Sequence, residues 1–395
     1  MCEVASAFMN GERVRLAYLD HAATTPMRET AIAAMAPYLA DQFANPSGSH
    51  RFSRSARTAI DEARDDVAEV LGCAPGEVVF TSGGTEGDNA AIFGAVRRHG
   101  GVAVCSAAEH HAVLHCVEHL GGVVVAVDKH GVINVDELQL ALDNVASRGE
   151  RVAVVSVMAV NNEVGTITNM EEVSRIVRRY APTAILHTDA VQGACWVDLA
   201  HLVSLVDILT LSSHKFGGPK GSGIMYLRNG VHLEPLIFGG GQERDRRSGT
   251  HNVAGIAATT AALTATATER HSENLRVMEL KEQLLAGLHN IGGVHQTVPN
   301  EVSVPGIVHV CVEGVENEAL LFLLDEEHLC ASAASACASG AMEPSHVLAA
   351  MGVPRERAQG ALRLSLGHST TSGDIVQALG TLGRAVARLR EHQRS

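Results

Sequence analysis

The chain has 395 residues, 46% of them hydrophobic and 3% aromatic, and a formal net charge of −13. That length allows two or three domains around a large core, and the excess of 44 acidic over 31 basic residues disfavours nucleic acid and anionic membrane surfaces as partners. No apolar run reaches the roughly 20 residues a membrane span needs, since the longest begins at Val152 and is broken at Ser156.

Residues 1–13 hold an early acid and no sustained apolar stretch, so they do not read as a secretory signal. The eight cysteines are scattered without a CxxC pair, so neither a zinc site nor a disulfide framework is expected. The expected setting is a reducing cytoplasm, with no metal.

In chain order, apolar runs at 77–80, 102–105, 123–127, 152–157, 185–187 and 208–211 predict strands, separated by amphipathic helical stretches. Repeated βα units predict a mainly parallel sheet covered on both faces, with any ligand at the carboxyl ends of its strands. A glycine-rich, charged stretch at 238–250 interrupts the pattern. The Ala/Thr-rich helix predicted near 253–272 then leads as a hinge into a smaller C-terminal domain.

Lysine is scarce: Lys129, Lys215, Lys220 and Lys281 stand against 27 arginines. A chain that uses arginine for positive charge keeps an amine where a guanidinium cannot substitute, and imine formation with an aldehyde is the leading such case. Lys215 sits in Leu211-Ser-Ser-His-Lys-Phe-Gly-Gly-Pro-Lys-Gly-Ser-Gly and reads as a Schiff-base lysine. Asp189 ends the preceding apolar run. A carboxylate and a lysine at two successive strand ends supply what pyridoxal 5'-phosphate (PLP) needs, an amine for its aldehyde and an anion for its pyridinium nitrogen.

The turn Phe80-Thr-Ser-Gly-Gly-Thr-Glu-Gly-Asp-Asn follows a strand and opens a helix, placing Gly84 and Thr85 where backbone amides hold a phosphate. Glycine also serves packing in such turns, so this signal is weak alone. Ser212 and His214 are candidate donors to the same phosphate. His110 is a candidate to stack on the pyridine ring, with a structural histidine as the plain alternative. Asn162 and Gln192 are candidate contacts to the ring hydroxyl, although amides there also satisfy loops. In Gly360-Ala-Leu-Arg-Leu-Ser-Leu-Gly, alternation puts Arg363 on the exposed face of a strand, with a two-pronged grip for an α-carboxylate.

Leu19-Asp-His-Ala-Ala-Thr-Thr-Pro, Thr81-Ser-Gly-Gly-Thr-Glu, Val160-Asn-Asn-Glu-Val-Gly, His187-Thr-Asp-Ala-Val-Gln, Ser213-His-Lys-Phe-Gly-Gly-Pro-Lys-Gly and Arg247-Ser-Gly-Thr follow the order seen in cysteine desulfurases of the NifS/IscS type. The resemblance spans about residues 17–385. It implies an α/β fold-type-I PLP-dependent transferase with a large domain (21–265) carrying a mainly parallel seven-stranded sheet. A smaller α/β C-terminal domain (1–20 with 266–395) completes it.

The same resemblance implies conversion of L-cysteine to L-alanine, with Lys215 on the cofactor aldehyde, Asp189 at the ring nitrogen and His110 on the ring face. Gln192 and Asn162 are implied to contact the ring and its substituents. Thr85, Ser212 and His214 are implied to hold the phosphate, with Thr250 reaching in from the second subunit of a homodimer.

The sulfur-accepting residue is implied to be Cys337, in Cys330-Ala-Ser-Ala-Ala-Ser-Ala-Cys-Ala-Ser-Gly, whose Ala, Ser and Gly residues offer few bulky anchors; Cys330, beside Leu329, reads as a small buried hydrophobe. A sulfur-acceptor protein, such as an iron-sulfur scaffold, is the implied partner. Ala334 and Ala338 depart from the glycine and threonine common in the family, which bears on rate, and the longer tail that docks a scaffold is not expected. Selenocysteine lyase, a class V aminotransferase and a non-catalytic PLP-binding partner are the alternative readings.

Overall fold

The computed structural model describes residues 6–9, 12–333 and 345–394. After helix α1 (Arg51–Leu71), strands and helices alternate. They are β1 (Val78–Thr81), α2 (Gly84–His99), β2 (Val102–Ser106), α3 (His111–His119), β3 (Val123–Val125), α4 (Val135–Ser147), β4 (Val152–Ser156), α5 (Met170–Tyr180), β5 (Ile185–Asp189), α6 (Leu199–Leu205) and β6 (Ile208–Ser212). Strand β7 (Gly223–Leu227) closes the series.

These seven strands form one sheet in the order β1-β7-β6-β5-β4-β2-β3. Only β7 runs against its neighbours, while β2 to β6 pair in parallel. The alternation of side chains sorts the core into two layers. Val78, Phe80, Val155, Leu186 and Leu209 face one way with α1, α4, α5 and α6. Val79, Val154, Ile185 and Ile208 face the other with α2 and α3. Burial on both faces explains why the strand sequences read as continuous apolar runs. The seventh strand was not among the runs read from the sequence, because Gly223 and Tyr226 break its apolar character.

The helix predicted near 253–272 is longer than expected. Helix α7 runs unbroken over Val253–His289, because the polar segment 268–276 that seemed to end it is a solvated stretch between two buried faces. Ile256, Ala258, Ala262 and Leu263 pack into the core of the large sheet, whereas Val277, Leu280, Leu284 and Leu288 pack into a second core. That core lies under an antiparallel sheet of β8 (Val294–Gln296), β9 (Ile307–Val312) and β10 (Ala361–Ser365), with β9 in the middle. Helices α8 (Asn317–Glu326) and α9 (Ser372–Arg394) complete this layer. The N-terminal segment joins it: Ala17–Tyr18 pairs in parallel with Leu329–Cys330, and Asp20 bridges to Ser365.

Candidate active site

Five loops leaving the carboxyl ends of large-sheet strands converge on one cavity of about 370 Å³, closed from the other side by Asp20, Ser332 and Arg363. Thr85 follows β1, His110 follows β2, Asn162 follows β4, Asp189 ends β5 and Lys215 follows β6, and all five line the cavity with Gly84, Gln192, Ser212 and His214. The structure therefore brings together all the site residues named from the sequence except Thr250 and Cys337. Thr250 is exposed and is not part of this chain's cavity. Cys337 lies outside the described residues.

Lys215 Nζ donates to the carbonyls of Ala22 at 2.6 Å and Ala23 at 2.8 Å. The amine is thereby held at the cavity wall by the Leu19-Asp-His-Ala-Ala segment. Across from it, Asp189 is 4% exposed and accepts the Val191 amide at 2.8 Å. Burial pushes its carboxyl up to about 6, opposed by that amide and by the Lys215 charge. A buried carboxyl raised in this way is stabilised as an anion by a cationic N–H partner.

Gly83 takes φ 154° as the cap of α2, and a Cβ on Gly84 would lie 2.7 Å from Val191 Cγ2. Only glycines let the chain pass this close and leave the first amides of α2 open to an anion. His214 accepts or shares a proton with Thr24 Oγ1 at 3.2 Å, and burial together with Lys215 and Lys220 lowers it to about 4. His110 caps α3, its Nδ1 accepting the Ala112 amide at 3.1 Å. Burial, then Lys215, lower its proton affinity, and with Nδ1 accepting that amide the ring hydrogen sits on Nε2. Gln192 donates to the Ala22 carbonyl at 2.8 Å.

Arg363 is not on an exposed face. It is 4% exposed, because the face of β10 opposite the leucines is covered by the N-terminal segment and the loop after β4. Its Nη2 donates to Asp20 Oδ1 at 2.9 Å and its Nη1 to the Asn162 carbonyl at 2.8 Å. Its buried Nε has no hydrogen-bond partner among the described residues. Cys330 also differs from expectation, being half-buried beside Tyr18 rather than enclosed.

Sequence reasoning assigned no role to Asp20, Asp88, Glu109 or Glu163. Asp88 and Glu109 are buried behind Asp189, and burial together with the Asp189 charge raises both well above the usual carboxyl range. The spacing Gly84, Gly87, Asp88, Ala91, Ile92, Ala95 places Asp88 on the buried stripe of α2, a signal readable from periodicity. Glu163, also buried, accepts the Ser345 hydroxyl and so ties the loop after β4 to Ser345, the start of the described segment 345–394.

An amine, a buried carboxylate facing it, a glycine-lined helix start and a guanidinium opposite form a donor set that fits PLP and an amino acid. The Aminotransferase class-V family profile matches residues 17–378, and the chain belongs to that family. A protein named cysteine desulfurase IscS from Dictyoglomus turgidum is 40% identical over 385 residues, covering 95% of this chain and 96% of its own. An IscS-like cysteine desulfurase from Mycobacterium tuberculosis is 41% identical over 391 residues, covering 95% and 97%. Among solved structures, a NifS-like protein superposes with a TM-score of 0.87 at 34% identity, covering 94% of this chain and all of its own. One from Rickettsia africae gives 0.85 at 28%, covering 94% and 99%. Within the class V family, then, this is a PLP-dependent cysteine desulfurase of the fold-type-I architecture.

Proposed function

We propose that the cavity removes sulfur from L-cysteine and passes it to Cys337, leaving L-alanine and a persulfide. The observation that carries this reading is the placement of Lys215 Nζ, the Asp189 carboxylate and the Arg363 guanidinium around one cavity. Lys215 is the residue to hold the cofactor aldehyde, Asp189 the ring nitrogen and His110 the ring face. Gln192 and Asn162 flank the ring, and Gly84, Thr85, Ser212 and His214 hold the phosphate. Bound PLP supplies an electron sink for charge developing at the substrate α-carbon.

Arg363 binds the substrate carboxylate and, being tied to Asp20 and Asn162, fixes its direction. Lys215 Nζ, displaced from the Ala22 and Ala23 carbonyls, takes the α-proton and returns it. The Cys337 thiolate forms an S–S bond to the substrate sulfur as the Cβ–S bond breaks, and the electron pair left on Cβ takes a proton to give alanine. A free thiol titrates near ~8.5, so a base must take its proton, and His110, whose Nδ1 is held by the helix, offers from Nε2–H a donor rather than that base.

Supporting readings follow from the same features. Thr250 is exposed in this chain, which supports the reading that it completes the phosphate site of a second subunit and that the active unit is a homodimer. The two hydrophobic cores support a large domain over 21–265 and a small one over 1–20 with 266–395. No helix among the described residues is long and apolar enough to cross a membrane, in keeping with a cytoplasmic enzyme that hands sulfur to an acceptor protein, an iron-sulfur scaffold being the leading class.

The test is Cys337→Ser. The variant should bind PLP with wild-type affinity, yet produce neither a protein persulfide nor alanine at more than a few per cent of the normal rate. Undiminished alanine formation would remove Cys337 from the reaction.

A further inference from the structure

Three successive residues in the loop that leads to Thr250 adopt left-handed backbone angles without being glycine: Glu243 at φ 48°, Arg244 at 58° and Asp245 at 62°. Side chains with a Cβ rarely take this conformation singly, and a run of three persists only where the surroundings over-determine it. What over-determines it is the Glu243 side chain. It is 7% exposed, and its carboxylate accepts from Arg64 Nη1 at 2.8 Å and Nη2 at 2.6 Å, His251 Nε2 at 2.8 Å and the Phe80 amide at 3.0 Å. Arg64 in turn donates to the Val78 carbonyl at 2.6 Å and lies over the Phe80 ring. Burial opposes ionisation, but the bonds from His251 and Arg64 outweigh it and hold the carboxyl at about 2.

A second tie runs the other way. Arg247 grips Glu86 with Nε at 2.9 Å and Nη2 at 3.3 Å, and Glu86 also accepts the Ser82 amide at 2.9 Å. Phe80, Ser82 and Glu86 belong to the strand end and helix start that contain Gly84 and Thr85. The loop bearing Thr250 is therefore fastened at two points to the phosphate-binding turn of its own chain.

We propose that Glu243 is a positioning residue: by holding residues 243–245 in the left-handed conformation it presents Thr250 to the neighbouring subunit, so that each phosphate turn sets the geometry of its partner's phosphate site. This rests on the reading that Thr250 completes the phosphate site of a second subunit. It calls for a defect confined to the phosphate end of the cofactor.

The experiment titrates full-length protein freed of cofactor with PLP and, separately, with pyridoxal, which has no phosphate. Glu243→Gln keeps the shape but loses the charge on which Arg64 and His251 converge. It should weaken PLP binding at least tenfold while pyridoxal binding changes less than twofold and sedimentation still shows the wild-type oligomer. His251→Gln, which spares the Arg64 and Phe80 contacts, should lower the PLP-over-pyridoxal preference by a smaller factor, three to tenfold, and serves if the first variant does not fold. Equal weakening of both ligands would make Glu243 a general structural residue and overturn the proposal, as would no change in either. Thr250→Ala separates the two ideas. Loss of preference in that variant but not in the Glu243 and His251 variants sinks the positioning role alone, and no loss in any of the three sinks the Thr250 reading as well.

Discussion

Replacing Arg363 tests how the site reads its substrate. The guanidinium is 4% exposed, anchored by Nη2 on Asp20 at 2.9 Å and Nη1 on the Asn162 carbonyl at 2.8 Å, and its Nε is buried and unpartnered among the described residues. A donor left in that state invites a carboxylate, and hydrogen bonds to charged groups contribute about 1.5–3 kcal/mol each. Two such bonds at the lower end amount to about 3 kcal/mol, or roughly 150-fold in kcat/KM. Arg363→Gln should show that loss in steady-state alanine formation, with the cofactor still bound, because Arg363 faces the substrate end of the cavity. Arg363→Lys keeps the charge but cannot reproduce the anchored fork, and should fall between, about tenfold down. A kcat/KM within threefold of wild type for Arg363→Gln would refute the role.

The remaining predictions address the cofactor's two ends. Burial raises Asp189 from 3.8 to about 6, so the folded, cofactor-free chain keeps a proton that the unfolded chain has released across that interval. Its contribution to stability therefore falls as pH rises from about 4 through 6, by up to about 3 kcal/mol. Urea unfolding of cofactor-free wild type and Asp189→Asn should show the wild type losing stability relative to the variant across that window, and a pH-independent difference would contradict the assignment. At the phosphate end, Gly84→Ala places a methyl 2.7 Å from Val191 Cγ2 and should weaken PLP binding about tenfold or more in a cofactor titration, the equivalent of about 1.4 kcal/mol. Wild-type affinity would remove Gly84 from the cradle.

Much of this was legible in the sequence because parallel strands buried on both faces spell themselves as apolar runs, and because the loops after such strands carry the chemistry. The juxtaposition of Asp189 and Lys215 follows from that rule alone, since the strands they follow are adjacent, with Asp189 paired to Thr210. What the sequence did not show depends on contacts across long separations. Arg363 read as exposed because alternation separates the two faces of a strand but cannot say that Asp20, 343 positions away, covers the second one. The full length of α7 was hidden because its Ala/Thr-rich stretch gives way to a polar one, whereas the helix continues through that stretch to serve a second core. Glu243 gave no signal at all: a charged residue in a glycine-rich loop ordinarily faces solvent, and its burial depends on Arg64 arriving from α1.

The covalent role of Lys215 is the claim that everything else presupposes, and reduction tests it directly. Purified protein saturated with PLP, treated with borohydride and digested, should yield one peptide carrying a pyridoxyl group, with the modification on Lys215 by mass spectrometry. Protein that gains no such group, or gains it on Lys129, Lys220 or Lys281 instead, would contradict the account.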